Sequence, residues 1–85
     1  MAFRISQHAK IEIERRRIPL SLVESVLARP QQVVVGVKGT KVYQSQYDFD
    51  GRMYLIRVIV DGTVEPVKVV TVYRTSKIGK YWREW

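Results

Sequence analysis

Eighty-five residues make one domain, and 46% hydrophobic with 11% aromatic content places the chain among folding sequences rather than disordered ones. Fifteen lysines and arginines against eight aspartates and glutamates leave a net charge of +7, a surplus that attracts polyanions. The absence of cysteine excludes disulfides and thiolate metal sites, and no stretch approaches the ~20 apolar residues of a membrane span. With no apolar run of leader length after Met1, a cytoplasmic location is the expectation.

Phe3-Arg4-Ile5 reads as a short extended lead-in, and Ser6 as the N-cap of a helix over Gln7–Arg16. Ile5, Ala9 and Ile13 fall on one side at helical spacing, a narrow core-facing stripe. Arg15-Arg16-Arg17 then occupies the last turn, where cations complement the helix dipole. After the break at Ile18-Pro19-Leu20, Ser21-Leu22-Val23-Glu24 matches a capping box. A second helix is expected from Leu22 to about Ala28, with Leu22, Val23, Val26 and Leu27 as its apolar face and Pro30 as its stop.

Beyond Pro30 the period changes. Gln32–Val37 is continuous and β-branched, and Lys38-Gly39 makes a turn. Thr40–Phe49 is a second strand, Asp50-Gly51 a strong hairpin signal, and Arg52–Val60 a third strand. That third strand is apolar on both faces, hence central, with Arg57 as its one anomaly. Val67–Arg74 is the fourth strand, and Thr75–Trp85 a polar, basic and aromatic tail. The expected fold is α+β: two N-terminal helices on one face of a four-stranded antiparallel meander, a single domain over residues 1–85. Leu55 and Ile59 are the expected partners of the second helix.

Two places carry chemistry. His8, Glu12 and Arg16 lie at i, i+4 and i+8, along one stripe beside the apolar one. A carboxylate one turn away orients an imidazole and favours its charged form; the same spacing also describes an ordinary surface ion-pair ladder. The segment Tyr73–Arg83 interleaves cations with hydroxyls and rings. Such groups bind phosphate and stack bases, although tyrosines and lysines also cover sheet edges. One histidine and scattered carboxylates make no metal-ligand spacing, so no metal or other cofactor is expected.

Ser6-x-His8-Ala9 with Arg16 and Ile18, a second helix over Val23–Pro30, and Thr71-Val72-Tyr73-Arg74-Thr75-Ser76-Lys77-Ile78-x-Lys80-Tyr81-Trp82 together have a relative. They resemble a bacterial family of unknown function in the barnase–EndoU–colicin–RelE nuclease group, similar to RelE- and BrnT-like toxins of toxin–antitoxin operons. The resemblance implies a RelE-like fold and metal-independent endoribonuclease activity. It implies His8 as general acid or base, Thr75 and Lys77 beside it in catalysis, and a substrate surface of Arg16, Tyr73, Arg74, Lys80 and Tyr81. Arg57 joins that surface on structural grounds rather than by motif. The implied partners are RNA and a small acidic antitoxin protein, without a membrane. The same surface also suits a module that binds RNA or protein without cutting. Glu12 stands where relatives often carry an arginine, and Arg17 where a helix-ending glycine is common.

Overall fold

The computed structural model describes residues 2–84. In chain order the elements are β1 (Phe3–Ile5), α1 (Gln7–Arg15), α2 (Leu20–Ala28), β2 (Gln32–Val35), β3 (Thr40–Phe49), β4 (Arg52–Asp61), β5 (Val67–Thr75) and α3 (Ile78–Tyr81). The α+β class stands, and the four expected strands form an antiparallel array. The sheet nevertheless has five strands, in the order β1-β5-β4-β3-β2, and it is mixed because β1 pairs with β5 in parallel. The lead-in Phe3–Ile5 is therefore a strand, and Ser6 N–H extends its pairing by donating to Val69 O at 2.9 Å. A third helix, the single turn α3, breaks the tail.

Local chemistry explains the boundaries. Ser6 caps α1, its Oγ accepting from Ala9 N–H at 3.0 Å. The helix stops at Arg15, so only the first of the three arginines lies in its last turn. Arg16 is the C-cap and Arg17 adopts φ +53°, with Arg17 N–H donating to Glu14 O and Ile18 N–H to Ile13 O. This is a Schellman closure with arginine where glycine is favoured. The expected capping box at Ser21 does not form. Pro19, with φ −61° and ψ 136°, is itself the N-cap, and its carbonyl accepts from Leu22 and Val23 N–H, which places Ser21 inside α2. The first two hairpins turn through paired positive φ angles, at Lys38-Gly39 and Asp50-Gly51, the geometry that matches strand twist.

The two N-terminal helices share one face of the sheet through their expected apolar faces, but the strand residues they meet are not the expected ones. Ala9, Ile13, Ile18, Val23, Val26 and Leu27 pack with Ile56, Val58, Val60, Val69 and Val72. Leu55 and Ile59 point to the other face. Their row is interrupted by Arg57, whose neighbours in register are Gln44 on β3 and Tyr73 on β5. An apolar helix face seeks the strand face without such an interruption, and Ile56-x-Val58-x-Val60 provides it.

Candidate anionic-ligand site on the second sheet face

Pleating and register together build a row across this second face. Gln32, Gln44, Arg57 and Tyr73 are successive cross-strand partners on β2, β3, β4 and β5. Their side chains join in the same order. Gln44 Nε2 donates to Gln32 Oε1 at 2.7 Å, Arg57 Nε to Gln44 Oε1 at 3.0 Å, and Arg57 Nη1 to Tyr73 Oη at 2.6 Å. Gln44 is wholly buried and Gln32 nearly so, yet no buried side-chain polar atom is without a partner among the described residues. The network satisfies the polar groups that the apolar sheet encloses.

The same glutamines tie down the C-terminal segment. Gln32 Nε2 donates to Arg83 O at 2.6 Å while Gln32 Oε1 accepts from Arg83 N–H at 3.1 Å, a side chain pairing with backbone as a strand would. Gln44 Nε2 also donates to Tyr81 O at 3.2 Å. Residues 81–83 thus cross the second face as a strap. The strap sets the Tyr81 ring against Arg57, whose guanidinium carbon lies 4.2 Å from the ring centroid. Tyr73 and Tyr81 meet edge to face at 6.3 Å, and Arg16 reaches to 5.9 Å from the Tyr73 ring from the end of α1. Lys80 Nζ lies 5.3 Å from the Tyr81 ring. The Lys80 ammonium beside the phenol holds Tyr81 below its ordinary value near 10, with smaller help from Tyr73 and Arg57 and against some desolvation.

Arg57 is the electrostatic centre. Both of its partners, an amide oxygen and a phenol, are neutral, so its charge is not cancelled, and two of its five N–H donors are used. Beside it the next row, Val42, Ile59 and Thr71, floors an open groove of about 590 Å³ that Tyr73 and Tyr81 border. A cation flanked by aromatic rings therefore adjoins an apolar slot.

The expected site residues divide. Arg16, Arg57, Tyr73, Lys80 and Tyr81 come together here. Arg74 does not: one step along β5 it turns to the helix-bearing face, 4.9 Å from the Phe49 ring centroid and 5.3 Å from that of Tyr54. Thr75 Oγ1 accepts from Lys77 N–H at 3.0 Å, and the pair forms the exposed turn into α3. His8 is exposed in the first turn of α1, about 12 Å along the axis from Arg16 at 1.5 Å per residue. Glu12 turns away from it to Arg15 at 2.8 Å and Arg16 at 3.3 Å. Gln32 and Gln44 were missed in the sequence. Their signal is two amides among valines on strand positions that share Arg57's face. Among the described residues no three His, Cys, Asp or Glu side chains gather as metal ligands, and no helix is long and apolar enough to cross a membrane.

Comparison with curated proteins and with solved structures returns no match. A family model, however, matches residues 5–74, covering Gln32, Gln44, Arg57 and Tyr73 and stopping short of the strap. By that match the chain belongs to the DUF4258 family, a domain of unknown function.

Proposed function

We propose that this domain binds single-stranded RNA on the second face of its sheet and cleaves it without a metal, as a RelE-like toxin would. The observation that carries the reading is Arg57: an uncancelled guanidinium between two tyrosine rings, with an apolar slot alongside. Its remaining N–H donors suit a phosphate, and the slot and rings suit the base attached to it. A purely phosphate-binding surface needs no apolar slot.

Tyr81 is the better-placed proton carrier. Its ring lies among Lys80, Tyr73 and Arg57, whereas His8 stands at the far end of α1. As phenolate it would take the proton of a ribose 2′-hydroxyl. The 2′-oxygen then bonds to phosphorus and the P–O5′ bond breaks. A 2′,3′-cyclic phosphate forms, and the departing 5′-oxygen takes its proton from a solvent water, with Arg57 and Lys80 opposing the charge on the phosphoryl oxygens. Resemblance of the Tyr73–Trp82 run to toxin ribonucleases supports the catalytic half of the reading. The exposed position of His8 favours the second reading, binding without cleavage.

Purified protein in EDTA, incubated with an end-labelled unstructured RNA, separates the two. Cleavage abolished by Tyr81→Phe and retained in His8→Ala supports the assignment. RNA binding lost in Arg57→Ala with no cleavage by any variant supports the second reading, and unchanged binding in Arg57→Ala sinks both. The pH profile gives a further prediction. Deprotonation of Tyr81 makes the base, so the rate should climb with pH with its midpoint below 10, because the phenol is held below that value. A flat profile would exclude Tyr81 as the base.

A further inference from the structure

β2 closes one side of the sheet, and its outer edge is bare. The bond from Gly36 N–H to Thr40 O fixes the alternation of the antiparallel ladder. Gln32, Val34 and Gly36 turn their backbone groups to β3, and Val33 and Val35 turn theirs outward. Among the described residues no other backbone group meets those of Val33 and Val35. Among the described residues no charge and no covering segment lies along this four-residue edge. Natural edge strands carry lysine, proline or a cover, whereas Val33, Val35 and Val37 are 42%, 83% and 78% exposed. Val33 and Val35 stand on the helix-bearing side of the sheet, opposite Tyr43 and Lys41, beyond the reach of α2. On the other side Arg83 lines a shallow groove with Val33, Val34 and Val35.

A bare edge of this kind pairs with a second copy of itself or with a strand of another polypeptide, and charge chooses between them. From Ser25 to Tyr47 the chain has no aspartate or glutamate, but it has Arg29, Lys38 and Lys41. Two β2 strands paired antiparallel about Val34 would bring Lys38 of each copy beside Arg29 of the other, like charges at both ends. A strand carrying carboxylates meets the same cations with opposite sign.

We propose that the β2 edge takes an extended segment of a partner polypeptide, apolar and acidic at alternate positions, as a sixth strand of the sheet. Its apolar side chains lie beside Val33 and Val35 on the helix-bearing side, and its carboxylates lie on the opposite side, which Arg83 lines. Main-chain bonds to Val33 and Val35 set the register. The inference does not rest on RNA cleavage, since β2's outer edge takes no part in the Arg57 network.

Amide exchange of the intact chain tests it, with a synthetic peptide of alternating valine and glutamate as probe and its valine–lysine counterpart as control. In the free protein the amides of Val33 and Val35 should exchange fast and those of Val34 and Gly36 slowly. The glutamate peptide, at ten times its dissociation constant, should slow Val33 and Val35 about tenfold. Val35→Pro should abolish that effect without unfolding the domain, because the N–H removed faces outward. No slowing, equal slowing by the lysine peptide, or full protection of Val33 in Val35→Pro would each overturn the proposal. Protection of both amides in the free chain, with a dimer in sedimentation, would assign the edge to a second copy and overturn it as well.

Discussion

Arg57 and Arg17 are both residues that their local positions disfavour, and the structure treats them differently. Arg57 sits in the middle of a central strand, and its cost is offset by hydrogen bonds to Gln44 and Tyr73 and by the Tyr81 ring. Arg17 has no such compensation at φ +53°; the Schellman bonds it makes are backbone bonds that any residue would make. Left-handed conformation costs a residue with a Cβ about 1–2 kcal/mol, part of which glycine returns through its freer unfolded state. Arg17→Gly should therefore stabilise the domain by about 0.5–1 kcal/mol, raising the melting midpoint by about 3–5 °C in a thermal circular-dichroism scan. Arg17→Ala, which keeps the Cβ, should show no such gain. Equal gains would mean that relief of charge crowding, not backbone strain, is responsible.

At the level of elements, what could be read from the sequence depended on whether the signal was local. β3 and the Asp50-Gly51 turn were legible because alternation and turn chemistry agree within a few residues. β1 was not, since three residues have no period and their partner Val67–Val69 lies at the other end of the chain. The face chosen by the helices was hidden too, because β4 is apolar on both sides and only its register with Gln44 and Tyr73 decides. Arg57 stood out as an anomaly, yet its glutamine partners became visible only when the strands were aligned. The strap is the element most dependent on those partners. Gln44→Ala would leave Arg57 Nε, Gln32 and the Tyr81 carbonyl each short of a bond in a buried setting. A loss of about 2–3 kcal/mol in denaturant midpoint analysis is expected. Faster proteolysis between residues 76 and 84 and a red shift of Trp82 emission should accompany it. Gln32→Ala should loosen the strap while leaving Arg57 in place. If both variants keep the strap protected, its anchoring lies elsewhere.

For the whole molecule the question is whether +7 acts as a diffuse field or through a defined site. Glu12 draws Arg15 and Arg16 into ion pairs, and Arg74 is turned to the helix-bearing face among aromatic rings. The cations gathered at the second face are then Arg57, Lys80, Arg83 and, partly compensated, Arg16. Each phosphate neutralised on a single strand adds about 0.7 to the salt slope, so four contacts give about −3. Between 50 and 200 mM salt the affinity for an unstructured RNA should fall about fiftyfold on that slope. Arg57→Ala should flatten it by about 0.7, whereas Lys68→Ala, a change distant from the site, should leave it as it was. Fluorescence anisotropy across a salt series measures both. A slope near −5, the value for all seven net charges, with equal loss from Arg57→Ala and Lys68→Ala, would mean that the field of the whole molecule binds and the Arg57 cluster does not.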